Sequence, residues 1–243
     1  MKYLPELLTD LWALGCYPDL IVQLLRPLLS DTAKIQALDL GCGKGAAAIT
    51  LAREMGMHVT GVDACEPFIA EARKIAITHH VEKLCQFVLE DIRTYIKKNL
   101  TFDLIVYASL GPLLGDLGET ISRLRRLVRT DGYILIDDGF LREVDHLERT
   151  GYAHMKSYAE SVKLLLKCGD ILTAEHQINA KQTAQINSNY LKSIRIQSKI
   201  LIQRIPEIKK ELESYINSQV EEKKIIESNV TECIWILQKK TID

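Results

Sequence analysis

Leu38-Asp39-Leu40-Gly41-Cys42-Gly43-Lys44-Gly45 stands where a compact apolar run, Ile35 to Leu40, gives way to Ala46 to Met55, a stretch of strong helix formers. The change of pattern predicts a strand, a glycine turn and a helix in immediate succession. Glycines in such a turn let the backbone reverse sharply and approach a ligand closely, and the helix start presents unpaired N–H groups. Gly56 then provides a C-terminal stop. The next strand candidate, His58 to Val62, leads into Asp63, a carboxylate placed to accept hydrogen bonds from ribose hydroxyls. Turn and acid together specify a nucleoside-containing ligand far better than the turn alone.

The same alternation continues outward. Strand candidates recur at Cys85 to Leu89, Asp103 to Ala108 and Tyr133 to Asp137, separated by helical stretches at Pro67 to Thr78, Ile92 to Lys98 and Gly118 to Arg129. Short, nearly all-apolar strands alternating with helices imply an α/β fold: a doubly wound, mostly parallel sheet covered by helices on both faces. Two amphipathic helices, Leu4 to Trp12 and Leu20 to Leu29, precede it. After it come a helix at Met155 to Lys167 and a strand at Ile171 to Ile178. A helical excursion from Ala180 to Ser228, interrupted at Pro206, leads to a seventh strand at Glu232 to Lys239. The reading divides the chain into a helical cap (1–30), a core (31–178 with 231–243) and a helical insertion (179–230) covering the substrate site.

Composition bounds the function. The chain has 243 residues, 47% hydrophobic and 26% charged, with 31 basic and 32 acidic side chains. That is one soluble domain with an appendage, and the near-zero net charge disfavours a nucleic-acid partner. No apolar run reaches the roughly 18 to 20 residues of a membrane span. The 6 cysteines are scattered without metal-ligand spacing and read as reduced thiols. MKYLPELLTD does not read as a signal peptide, so the expected location is cytoplasmic.

Two ligand classes compete for the turn, because Gly41, Gly43 and Ala46 also satisfy the looser dinucleotide pattern of nicotinamide-dependent oxidoreductases. Asp39 stands against the oxidoreductase, which is kept as an alternative. A carboxylate two residues before the first glycine gains nothing from a pyrophosphate, whereas a ligand bearing an ammonium group, such as S-adenosylmethionine, suits it. Here the sequence resembles class I S-adenosylmethionine-dependent methyltransferases. LDLGCGKG is similar to their first motif and VTGVDACEPFIAEAR to their second. FVLEDIRTY, TFDLIVYASLGPLL and RLVRTDGYILIDDGF are similar to the stretches around their third, fourth and fifth strands.

The resemblance implies a Rossmann-like sheet whose last strand, Glu232 to Lys239, runs antiparallel between two parallel ones. It implies a cofactor site made by Asp39, Gly41, Cys42, Gly43, Asp63, Ala64, Asp91, Ile92, Tyr107 and Ala108. In that site Asp63 would hold the ribose, Asp91 the adenine amine and Ile92 the ring face, with Tyr107 and Ala108 at the methionine end. The implied activity is methyl transfer to a small-molecule acceptor, leaving S-adenosylhomocysteine; a protein that keeps the cofactor without catalysis is the other alternative.

Direct displacement needs positioning more than a base, so the catalytic group is less legible. Asp137 and Asp138 close the fifth strand at the rim where open α/β sheets bind ligands; either a base or a turn acid before Gly139 fits the pattern. His154, in a loop-like segment beside Tyr152, offers an imidazole base and is the second catalytic candidate with Asp138, a surface histidine being its alternative. Ser109 suits either a substrate contact or a turn. His79-His80 point apart at a helix end and lack a third ligand, so no metal site is expected.

Overall fold

The computed structural model describes residues 2–144, 146–149 and 151–240. Helices α1 (Leu4–Leu7) and α2 (Pro18–Leu25) precede strand β1 (Gln36–Leu40). The chain continues through α3 (Ala46–Met55), β2 (His58–Asp63), α4 (Glu66–Thr78), β3 (Cys85–Leu89), α5 (Ile92–Tyr95) and β4 (Phe102–Ala108). It ends with α6 (Leu117–Leu124), β5 (Val128–Leu141), α7 (Tyr158–Leu165), β6 (Ile171–Gln177), α8 (Ala180–Arg204), α9 (Lys209–Asn229) and β7 (Val230–Gln238).

The strands form one seven-stranded sheet in the order β3-β2-β1-β4-β5-β7-β6. β1 to β5 pair in parallel, and β7 runs antiparallel to both β5 and β6, as the resemblance implied. Side-chain alternation splits the core into two layers. Ala37, Leu104, Val106 and Leu135 pack with α2 and α3 on one face. Leu38, Leu40, Ile105, Ile134 and Trp235 pack with α6 and α7 on the other. Burial on both faces explains why these strands read as continuous apolar runs.

Several boundaries differ from the periodicity reading. α6 ends at Leu124 rather than Arg129, because residues from Val128 onward enter β5. β5 itself runs on to Leu141, since β7 pairs with it from Tyr133↔Gln238 to Leu141↔Val230. α7 begins only at Tyr158, where Ser157 and Glu160 form a reciprocal capping box.

The first helix stops at Leu7 instead of Trp12. The carbonyls that would continue it are taken by Lys44 of the glycine turn, whose Nζ donates to Leu8 O at 2.7 Å and Thr9 O at 3.0 Å. Trp12 Nε1 in turn donates to Lys44 O at 3.1 Å. A third apolar cluster joins Leu7 and Leu8 to Phe68 of α4, Ile194 and Leu201 of α8, and Leu212 of α9. Cap and helical excursion therefore pack as one layer. No helix among the described residues is long and apolar enough to cross a membrane.

The Lys44 side chain is 0% exposed and also pairs with Glu71 at 3.0 Å. Lys44→Met keeps the volume but removes the donor to Leu8 O and Thr9 O and the partner of Glu71, leaving Leu8 O only the Leu11 N–H, and is expected to cost about 1–3 kcal/mol. Urea unfolding measures that loss, and limited proteolysis should cut first between residues 8 and 17.

Candidate active site

Gly41, Gly43 and Gly45 all take left-handed backbone conformations, with φ of 64°, 52° and 78°, so side chains there would strain the turn. Neighbouring backbone fixes its shape. Cys42 N donates to Val62 O at 3.0 Å, and Gly45 N to Cys42 O at 2.8 Å. Asp63, at the end of β2, accepts from Gly43 N at 2.9 Å through one oxygen and from Cys65 N at 2.8 Å through the other. One carboxylate thus ties the second strand end to the glycine turn. Above the turn lie two leucines: a Cβ on Gly41 would fall 2.3 Å from Leu110 Cδ2, and one on Gly43 would fall 3.2 Å from Leu14 Cδ1.

Asp39 is buried and accepts from Ala48 N, the third residue of α3, at 3.2 Å. From that buried position it anchors the helix start to β1. Burial pushes its carboxyl up to about 7; the Ala48 N–H opposes that shift and the charge of Asp63 adds to it. Asp91 caps α5 by accepting from Arg93 N at 2.8 Å. Its hydrogen bonds from the Arg93 side chain and backbone hold it down at about 2. Ala64 is exposed beside Asp63, and Ile92 is buried in the lower core layer.

Tyr107 departs from the expectation. Strand alternation turns its ring into the core beneath the sheet, where its hydroxyl donates to Gly111 O at 2.9 Å and accepts from Leu114 N at 3.3 Å. The ring shapes the loop after β4 and does not line the strand-end cavity. Ala108 packs partly buried on the opposite face.

A cavity of about 450 Å³ opens beyond the ends of β4 and β5, with Ser109, Asp137 and Asp138 on its floor. The N-terminal segment contributes Leu14 and Tyr17, and β7 contributes Glu232. Helices α8 and α9 close it with Ile186, Tyr190, Glu222 and Ile226. Within it the two catalytic candidates meet: His154 Nε2 lies 3.2 Å from Asp138 Oδ2, each side chain only 8% exposed. Asp138 also accepts from Gly139 N at 2.8 Å, and His154 Nδ1 is buried with no partner among the described residues. His154 is therefore not a surface histidine. Ser109 sits at φ 56°, a strained left-handed conformation for a non-glycine residue.

Sequence reasoning did not find Tyr17, Tyr190, Glu222 or Glu232. Glu232 carried the one available signal, an acid opening an otherwise apolar strand; here it accepts from the hydroxyls of Tyr17 and Thr183. His79 stacks on Trp12 at 5.6 Å. Among the described residues no three His, Cys, Asp or Glu side chains gather in metal-binding fashion.

Comparison with known proteins agrees with this geometry. Residues 31–231 match the model of a family described as a methyltransferase domain. The chain belongs to that family. It is 32% identical over 110 residues to the malonyl-[acyl-carrier protein] O-methyltransferase of Salmonella typhimurium, covering 45% of this chain and 41% of that protein. The chain thus matches less than half the length of such curated relatives. Its fold is similar to a SAM-dependent methyltransferase from Thiobacillus denitrificans in complex with S-adenosyl-L-homocysteine, with TM-score 0.82, 18% identity and 98% of each chain covered. A SAM-dependent methyltransferase from Geobacter sulfurreducens, also in complex with S-adenosyl-L-homocysteine, gives TM-score 0.81 at 19% identity over 97% of this chain and 96% of that one.

Within this methyltransferase-domain chain, Asp39 makes stability depend on pH. Its folded-state pKa of about 7 lies above the ordinary 3.8. The stabilisation from holding the proton is complete below about pH 4 and is lost as pH rises through about 7. Asp39→Asn can still accept from Ala48 without a charge. The variant should gain on wild type by on the order of a few kcal/mol between about pH 4 and pH 7, as read from denaturant unfolding across that range.

Proposed function

We propose that this chain is an S-adenosylmethionine-dependent methyltransferase acting on a small-molecule acceptor held in the strand-end cavity. One observation carries the reading. The glycine turn with Asp63 and the Asp138–His154 pair lie on the same edge of one sheet, around its switch point between β1 and β4. Family membership and the similarity to structures in complex with S-adenosyl-L-homocysteine support it.

The residues fit the cofactor. Two left-handed glycines, Gly41 and Gly43, leave a concave backbone that a Cβ would fill, roofed by flexible leucine side chains rather than by backbone, while Gly45 packs against Phe87 and Ile49. Gly41, Cys42 and Gly43 would hold it by main chain, Asp63 would accept from ribose hydroxyls, and Asp91, Ile92, Ala64 and Ala108 would flank its two ends. When bound, S-adenosylmethionine supplies an electrophilic methyl group on a sulfonium, transferred by attack in line with the carbon–sulfur bond. The chain's own residues orient the acceptor and accept its proton. Asp138 fixes the imidazole N–H on Nε2, which leaves the Nδ1 lone pair of His154 to take a proton and stabilises the resulting cation. α8 and α9, the insertion, together with the N-terminal cap, exclude water from the acceptor side.

Titration calorimetry with S-adenosylhomocysteine tests the cofactor half: wild type should bind, and Asp63→Ala should weaken binding at least about tenfold. No heat with either S-adenosylmethionine or S-adenosylhomocysteine refutes the reading. For the chemistry, S-adenosylhomocysteine release across a metabolite panel should fall roughly a hundredfold or more in His154→Gln, with cofactor affinity kept.

A further inference from the structure

The charges around the cavity do not balance. Asp137, Asp138, Glu222 and Glu232 line it, against one lysine, Lys223. That lysine is engaged elsewhere, with Nζ 2.8 Å from Ser188 Oγ and 3.7 Å from Glu227. Three of the four carboxylates have donors: Asp138 has His154 and Gly139, Glu222 has Arg149 and Tyr152, and Glu232 has Tyr17 and Thr183.

Asp137 is the exception. It is 4% exposed, and its Oδ2 has no partner among the described residues. Burial, then the nearby charges of Glu232 and Asp138, raise its proton affinity well above the carboxylate range, and the neighbouring Ser109 hydroxyl opposes them without serving Oδ2. His154, whose Nδ1 is equally buried and unpartnered among the described residues, lines the same cavity.

Ligand chemistry follows by elimination. Among the described residues an anionic acceptor finds no uncommitted cation here and meets Asp138, Glu222 and Glu232 beside the buried Asp137. A neutral hydroxyl acceptor can donate to Asp137 Oδ2 but brings no charge, and a neutral acceptor with no donor leaves it unpaired at the usual cost of a buried group. An ammonium supplies both the charge and the donor, and Tyr17 and Tyr190 are aromatic neighbours in the lining. Leu14, Ile186 and Ile226 give the remainder of the wall an apolar lining.

We infer that the acceptor is a small amphipathic amine whose nitrogen is held by Asp137, an inference that rests on the methyl-transfer reading. His154 takes a proton from the bound ammonium and frees the nitrogen lone pair. The nitrogen–methyl bond forms as the methyl–sulfur bond breaks, the bonding pair stays on sulfur as a neutral thioether, and the positive charge passes to the methylated nitrogen. The proton on His154 leaves to solvent.

The test uses the full chain with matched probe sets: phenethylamine, phenethyl alcohol and phenylacetate, then hexylamine, hexanol and hexanoate, then tryptamine, tryptophol and indoleacetate. Each is titrated with and without saturating S-adenosylhomocysteine. At least one amine should bind about tenfold or more tighter than its alcohol and acid partners. Asp137→Asn should abolish that preference while leaving S-adenosylhomocysteine affinity within about twofold of wild type.

The inference is overturned if no amine outbinds its partners at millimolar concentration, or if Asp137→Asn keeps the preference. It is also overturned if Asp137→Asn weakens S-adenosylhomocysteine as much as the amine, which would assign the carboxylate to the cofactor. The selectivity in wild type stands whether or not the variant folds. Failure of S-adenosylhomocysteine to bind defeats the methyl-transfer reading instead, and the titrations without it report the cavity's preference separately.

Discussion

Parallel pairing is the constraint on which the rest depends. Parallel neighbours cannot be joined by a hairpin, so each strand from β1 to β5 returns through a crossover outside the sheet, and all five carboxyl ends open on one edge. The glycine turn, Asp63, Asp91, Ser109 and Asp138 share that edge for this reason, although nearly one hundred positions separate the first from the last. The reversed strand β7 completes the edge differently. Because it runs antiparallel, its beginning lies beside the end of β5, with Glu232 paired to Gly139. The C-terminal end of α9, with Glu222 and Ile226, is carried to the same place.

Crowding acids on one edge would destabilise it if each were left alone, and apart from Asp137 the structure answers each in its own way. Asp63 is held by two backbone N–H groups, Asp91 by an arginine two residues on, and Glu232 by two hydroxyls. Asp39 sits deepest and has only the Ala48 N–H, so burial dominates and its proton affinity rises. Asp91, at the surface with a guanidinium, shifts the opposite way. The contrast between two carboxylates of one edge comes from desolvation against charge pairing, not from residue type.

Much of this was legible in the sequence because it is local. The glycine turn, the strand-then-acid pattern at Asp63 and the switch from alternating to helical periods are short-range signals. The reversed last strand followed from family resemblance. Asp138 and His154 were picked separately for strand-end position and an imidazole base, and the fold brings them within hydrogen-bonding distance. What was not legible depends on neighbours remote in sequence. Periodicity gave Tyr107 a strand but not the side of the sheet its ring would take. It extended α1 to Trp12 because nothing local shows that Lys44 captures the carbonyls of Leu8 and Thr9. Tyr17, Tyr190 and Glu222 come from three segments whose convergence only the packed structure reveals.

The capture by Lys44 also bears on how a ligand reaches the turn. The lysine belongs to the glycine motif, yet its ammonium holds the N-terminal segment while Trp12 binds its carbonyl. That segment shares an apolar cluster with α4, α8 and α9, so its base is fixed to the same layer as the cavity wall. Leu14, between this fixed base and the glycine turn, meets Gly43, and Leu110 from the loop after β4 meets Gly41. Both roof contacts are ends of flexible side chains on loops. Rotation of two leucines exposes the cradle at a cost of rotamer change, far below that of detaching a clamp built on a buried ammonium. The contacts over the glycine turn are thus weaker constraints than the clamp beneath them.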